Sequence, residues 1–203
     1  MLGKEEPMSC DAEKKRKILS PIQMYPIFEN ALRYARKESV EEHITRVSEL
    51  WAGFSKVAGD NPDAWIRDPL NAETIRTSGP GNRMVSFPYP KLMNSNNAVD
   101  MSAAIIMCSV QKAQSLGISS DKWVYPWTGT DAHDTYFVSE RNNLYSSPAI
   151  RIAGKKALDL AGMDIHDIDL VDVYSCFPSA VQVAANELGL SYDRPLTVTG
   201  GLT

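Results

Sequence analysis

The stretch Asp164-Ile165-His166-Asp167-Ile168-Asp169-Leu170-Val171-Asp172-Val173-Tyr174-Ser175-Cys176-Phe177 decides how this chain folds. Ile168 to Val173 has the aliphatic content of a buried strand, and it ends abruptly in the reactive side chains of Tyr174, Ser175 and Cys176. A helix-like run, Ser179 to Leu190, follows at once. In an open α/β sheet, ligands sit beyond the carboxyl ends of the strands, so these three residues stand where chemistry is expected. The chain then closes in glycine turn chemistry, Thr199-Gly200-Gly201-Leu202-Thr203, and reads as cut, not finished.

Working outward from that stretch, Ser147-Pro148 opens a helix with proline at its first position, and Ala149 to Leu160 continues it to Gly162. Trp123 to Trp127 reads as a strand and Val110 to Leu116 as a helix stopped by Gly117. Ala103 to Cys108 reads as a buried strand, and Val198 enters a final short one. Strands alternating with helices of this length imply a sheet covered by helices, so the expected fold class is α/β from residue 94 onward. Upstream, Pro26 to Ala58 is helical, with Val47, Leu50, Trp51 and Phe54 on one face and a joint near Glu38-Ser39. Asp60 to Tyr89 is rich in turn signals, with one short helix near Asn71 to Thr77. The expected division is therefore a helical and irregular segment, 1–93, and an α/β core, 94–203.

Composition excludes several classes. A net charge of -4 and the short run Lys14-Lys15-Arg16-Lys17, preceded by Glu5, Glu6, Asp11 and Glu13, do not make a nucleic-acid surface. No apolar run approaches the roughly 18 residues of a membrane span. The N-terminus lacks the apolar core of a signal peptide, and three widely spaced cysteines do not form a disulfide framework, so a cytoplasmic protein is expected. His43, His133 and His166 show no metal-ligand spacing, and no phosphate-binding glycine loop is present.

Three segments together resemble the thiolase superfamily. Gly154-Lys155-Lys156-Ala157-Leu158-Asp159-Leu160-Ala161-Gly162-Met163 leading through Asp167-Ile168-Asp169-Leu170-Val171-Asp172-Val173 into Tyr174-Ser175-Cys176-Phe177 is similar to the helix, strand and four-residue active-site motif of its sterol-carrier-type branch. Asn96-Asn97-Ala98-Val99-Asp100-Met101-Ser102-Ala103-Ala104 resembles the segment that starts a core strand there, and Gly200-Gly201-Leu202-Thr203 the Gly-Gly turn before a Gly-His-Pro motif. The resemblance implies a layered αβαβα thiolase-like fold, here incomplete, with the first ninety residues as the loop domain that shelters coenzyme A. It implies acyl-CoA acyltransferase activity of the acetyl-CoA C-acetyltransferase type in a longer parent, usually a homodimer. A coenzyme A thioester is the expected substrate, with no covalently bound cofactor. This stretch itself is expected to be inactive in thiolysis, because the family's nucleophilic Cys lies on the half that has no counterpart here.

Tyr174 stands where the family carries Asn or His, so it is the expected catalytic residue, able to donate a hydrogen bond to an oxyanion. Substrate contacts are expected from Ser175, Phe177, Gly200, Gly201 and His133. For Ser175 the alternative is a cap on the following helix; for Gly200 and Gly201, a plain turn; for His133, a surface ring bonded to Asp131 or Asp134. Cys176 reads as a packed thiol in preference to a nucleophile, and His166 as exposed at a turn. Two other functions remain open: a CoA-ester aldolase using Tyr174, and a non-catalytic acyl-CoA-binding subunit working with an OB-fold and zinc-ribbon partner.

Overall fold

Serine and asparagine caps set the helix boundaries. The structure, a computed structural model, describes residues 7–202; Glu5, Glu6 and Thr203 lie outside the described residues. After the short helix α1 (Asp11–Lys15), α2 (Pro21–Arg36) begins behind Ser20, whose N–H donates to Gln23 Oε1 at 3.1 Å. It ends at Lys37, in the left-handed conformation with φ 58°. Two residues later α3 (Val40–Asp60) opens on a capping box: Ser39 Oγ accepts the Glu42 N–H at 3.2 Å, and the Ser39 N–H donates to Glu42 Oε2 at 2.8 Å. The helix break expected at Glu38-Ser39 is therefore fixed by local chemistry.

Val47, Trp51, Phe54 and Ala58 recur at the spacing of one helix face, and all four are buried. This stripe of α3 packs on α4 (Ala72–Arg76) through Ile75, and Trp51 stacks on Phe54 with ring centroids 5.1 Å apart. A small antiparallel hairpin, β1 (Met84–Ser86) and β2 (Tyr89–Pro90), brings the fully buried Tyr89 into the same core. The second half carries α5 (Val110–Ser115), α6 (Pro148–Ala161) and α7 (Pro178–Leu188). The last two end on Gly162 and Gly189 with φ near 66° and 68°, the left-handed cap that glycine adopts without a Cβ penalty. α7 packs against α2, α3 and α6 and sends Val181 and Ala185 into the core.

The expected strands are not formed among the described residues. Ala103–Cys108, expected to be buried, lies open to solvent, with Ile105 85% and Ile106 89% exposed and Cys108 exposed. Trp123–Trp127 and Val198 likewise join no sheet. Ile168–Val173 is held by single bonds instead of a ladder. Arg194 Nη2 donates to the carbonyls of Ile168 and Asp169 at 2.8 and 2.6 Å, and the Val173 N–H donates to the Leu196 carbonyl at 2.9 Å. A strand persists through pairing of its backbone groups with a neighbour, whatever its side-chain pattern. These segments have the composition of strands but adjoin no regular partner, which leaves Ile105, Ile106, Val124 and Trp127 in solvent while Val171 and Val173 rest half-buried against the core.

Glu38, in the turn between α2 and α3, has its carboxyl pulled down to about 2, first by its hydrogen bonds from Arg46 and then by His43, against the opposing effect of burial. Its folded value lies below the ordinary 4.5. The contribution to stability is therefore complete above pH 4.5 and is lost as pH falls toward 2. Thermal unfolding followed across that range should show a falling midpoint in the natural chain and a flatter profile in Glu38→Gln.

Candidate functional site

Phe177 fixes the turn that carries the candidate residues. It is the residue before α7, and its ring is 1% exposed, stacked on Tyr25 of α2 at 4.4 Å and 14° and lying 5.6 Å from the Tyr89 ring. The backbone around it is tied to two other segments. The Ser95 N–H donates to the Cys176 carbonyl at 3.1 Å, and the Asn96 N–H to the Leu202 carbonyl at 2.9 Å. Residues 94–96, 174–177 and 200–202, far apart in sequence, thus meet in one place.

The glycine turn is seated against the end of α3. Gly200 has φ 100°, and a Cβ there would stand 2.4 Å from the Ala58 Cα. A Cβ on Gly201, at φ 87°, would press on Phe54 at 3.0 Å and on Ser175 Oγ at 3.1 Å. The Gly200 N–H donates to Thr197 Oγ1 at 3.0 Å, and Asn61 Nδ2 donates to the Thr199 carbonyl at 2.8 Å. Both glycines therefore meet a conformational and a steric demand that alanine fails. Ser175 is buried beneath this turn; the N-cap of α7 is Phe177, with no side-chain cap, so Ser175 does not cap that helix.

Tyr174 stands at the rim of a cleft of about 680 Å³ between α2, α6 and α7. Phe28, Val173, Val183 and Leu188 make its wall largely apolar. Arg141 is the one cation lining it among the described residues; its guanidinium lies 5.4 Å over the Phe28 ring and 3.6 Å from the Asp134 carboxylate. Asp172 lines it as well, so two carboxylates face one guanidinium and the cleft suits an apolar group better than a phosphate.

Tyr25, Tyr174 and Cys176 are all shifted toward their protonated forms. The Cys176 thiol is pushed up by burial, and Tyr25 is pushed up first by burial and then by its hydrogen bond to Cys176. Tyr174 is raised first by the nearby Cys176 and then by partial burial. At neutral pH Tyr174 is therefore a hydrogen-bond and proton donor, not a base. Cys176, 5% exposed and protonated, has none of the features that make a thiolate nucleophile.

Of the candidate residues, Tyr174, Ser175, Phe177, Gly200 and Gly201 share this locus, and His133 stands apart. His133 is outside the cleft lining, its Nε2 3.9 Å from the Asp131 carboxylate and its Nδ1 3.4 Å from the Tyr136 hydroxyl, while its neighbours Asp134 and Tyr136 reach the cleft. No motif marks Tyr25, Phe28 or Arg141, which a helical pattern or a loop presents as ordinary surface or core. Asn94 opens the polar run Asn94-Ser95-Asn96-Asn97, which reads as a turn. It is buried, with Nδ2 donating to the Pro90 carbonyl at 2.7 Å and Oδ1 without a partner.

Comparisons with known proteins agree with this geometry. A family model described as thiolase C-terminal domain-like matches residues 130–193. Acetyl-CoA acetyltransferases of Methanocaldococcus jannaschii and Methanothermobacter thermautotrophicus are each 28% identical over 132 residues, covering 65% of this chain and 32% of theirs. The crystal structure of a monomeric SCP2-thiolase-like protein type 1 from Mycobacterium smegmatis superposes with a TM-score of 0.78 at 36% identity, over 91% of this chain and 41% of that one. The Ltp2-ChsH2(DUF35) aldolase structure, 17% identical with a TM-score of 0.64 over 88% of this chain and 45% of that one, shares the fold alone. The chain belongs to the thiolase superfamily, on its sterol-carrier-type branch, and has part of the thiolase-like α/β fold. It spans about a third of the length of the curated relatives it matches.

Gly200→Ala should destabilise the protein by about 2–4 kcal/mol, since it adds a clash with helix backbone to a positive-φ penalty. Denaturant unfolding measures this, and Gly79→Ala, with open space around its Cβ, is the control that should change little.

Proposed function

We propose that this chain supplies the acyl-facing wall of a thiolase-type acyltransferase, with the Tyr174 hydroxyl donating a hydrogen bond to the thioester carbonyl oxygen of an acyl-CoA substrate. One observation carries the reading: a phenol kept protonated at the rim of a largely apolar cleft. The names of the curated relatives support the reaction class, acetyl-CoA C-acetyltransfer, and the likeness to the SCP2-thiolase-like protein supports the branch.

The chemistry follows from where charge develops. In Claisen-type transfer the thioester carbonyl oxygen gains negative charge as the enolate or tetrahedral intermediate forms. A fixed O–H donor interacts more strongly with that oxyanion than with the neutral carbonyl, which lowers the barrier. Phe177 and the two glycines hold the donor's turn in place, while the cleft takes the apolar acyl part. The coenzyme A thioester acts as substrate, with no covalently bound cofactor. None of the chain's cysteines is set to accept an acyl group, since Cys176 is buried and protonated and Cys10 and Cys108 lie off the cleft.

Tyr174→Phe should weaken binding of an acyl-CoA by about tenfold, the worth of one hydrogen bond of ~1.4 kcal/mol, in calorimetric titration with acetoacetyl-CoA. Equal affinity of the two proteins would sink the donor role. The chain by itself should show no thiolysis of acetoacetyl-CoA when loss of absorbance is followed with free coenzyme A present.

Tyr174 also favours a second reading, carbon–carbon cleavage of a CoA ester in which the 3-hydroxyl proton leaves to water as the carbon–carbon bond breaks and the phenol donates a proton to the thioester enolate, then regains one from water. Release of an aldehyde or ketone from a branched 3-hydroxyacyl-CoA, abolished in Tyr174→Phe, would select it. Acyl-CoA binding without turnover in the complete protein would instead select a non-catalytic subunit that works with an OB-fold and zinc-ribbon partner.

A further inference from the structure

The cleft whose rim carries Tyr174 is apolar along most of its wall, and it holds one group that a hydrocarbon chain does not need. Arg141, which follows the short turn Val138–Glu140, lies in that wall with 24% of its side chain exposed. Its guanidinium is fixed from two directions. Nε donates to the Thr135 carbonyl at 3.0 Å, and the group lies over the Phe28 ring, 5.4 Å from Cζ to the ring centroid. A bond from Nε and an aromatic face together set the plane of the fork.

The two arms of the fork are unspent. Asp134 is the ion opposite them, but its Oδ2 stands 3.6 Å from Arg141 Nη1, outside hydrogen-bond reach. Its carboxylate serves the start of α6 instead: Oδ2 accepts from the Ser147 hydroxyl at 2.5 Å, and Oδ1 accepts from the Ala149 N–H at 3.1 Å. Among the described residues, neither NH2 group of Arg141 has a hydrogen-bond acceptor, although each carries two donors.

A row of contacts leads from the Tyr174–Phe177 turn to this fork. Tyr25 stacks on Phe177 at 4.4 Å, Phe28 lies 5.9 Å from Tyr25, and Arg141 covers Phe28. The fork is thus at the end of the row away from the turn, where the tail of an acyl group would lie. Acyl tails differ in what they offer it. A hydrocarbon end would strip water from both NH2 groups and return nothing, which costs free energy. A carboxylate end would gain the cation but would join Asp134 and Asp172 in the same cleft, so like charge opposes it. An uncharged oxygen acceptor takes the unpaired N–H groups and adds no charge, while its carbon chain packs on Phe28, Val183 and Leu188.

We propose that Arg141 is a specificity-determining residue of this cleft, selecting acyl groups that carry an uncharged oxygen acceptor of the ketone class at the end remote from the thioester. The inference rests on the acyl-site reading, and its test separates the two. Tyr174 faces the thioester that every acyl-CoA shares, whereas Arg141 faces only the tail.

Calorimetric titration of the chain with thioesters of equal length tests this: decanoyl-CoA, its methyl-ketone analogue with oxygen on the next-to-last carbon, and its analogue ending in a carboxylate. The ketone should bind about tenfold more tightly than decanoyl-CoA, the worth of one hydrogen bond from a charged donor, and the carboxylate no more tightly than decanoyl-CoA. Arg141→Met, of similar length and without donors, should bind the ketone and decanoyl-CoA alike. Tyr174→Phe should weaken all three by the same factor and leave the preference intact. Equal affinity of the natural chain for alkyl and ketone tails, repeated with octanoyl and dodecanoyl pairs, overturns the role of Arg141 and leaves the acyl site standing. So does a carboxylate that binds tightest, or a ketone preference that survives in Arg141→Met. Failure of every thioester to bind overturns the acyl-site reading and this inference with it. The comparison of tails on the natural chain holds even if the variant does not fold.

Discussion

The insertion of Phe177 between Tyr25 and Tyr89 is the contact on which the remaining structure depends. It is made by the residue that ends the Asp-rich segment and starts α7, so one aromatic stack sets the height of the turn and the entry angle of the helix together. Offset aromatic contacts of this kind contribute about 0.5–1.5 kcal/mol beyond the burial of their area. Tyr89 has two roles there, since its ring packs on Phe177 and its hydroxyl enters the cluster around Glu29. Apolar packing and a buried polar cluster therefore converge on the same helical turn, from α2, α3 and β2.

This arrangement separates holding from acting. Phe177, Ser175 and the two glycines are buried or sterically confined, whereas Tyr174 is 69% exposed on the cleft rim. A rigid base beneath an accessible donor is the arrangement required by the proposed stabilisation of an oxyanion, because a donor that must reorganise forfeits part of its benefit. The direction of the Tyr174 shift matters as much as its position. A phenol pushed up by its neighbours gives up protons less readily, so hydrogen-bond donation to a developing charge is the role its environment favours.

Much of the helical framework was legible because its causes are local. The joint near Glu38-Ser39, Pro148 behind Ser147, and Gly162 each set a boundary through atoms within a few residues, and the structure places helix ends there, whereas α7 stops at Leu188 on Gly189, short of the Leu190 expected. The thiolase resemblance was legible for a related reason, since the order and spacing of motifs is a property of the chain alone. The strands were not. Ala103–Cys108 and Trp123–Trp127 have the right side chains, but pairing is a relation to another segment, and Ile105 and Val124 stand in solvent.

The sequence by itself determined the α2–α3 break and the bounds of α6, which superfamily the chain belongs to, and that Tyr174 stands at the end of the Asp-rich segment. Only the tertiary structure decided that Ser175 is buried under Gly201 and does not cap α7, that Gly200 must lack a Cβ because Ala58 occupies its place, and that His133 stands away from the cleft. It also decided that Glu29, His43 and Glu38 form one cluster. The physical reason is range: caps and turns are settled by groups a few residues apart, whereas burial, steric exclusion and the contacts of a buried carboxylate depend on segments as distant in sequence as Glu29 and Gln182.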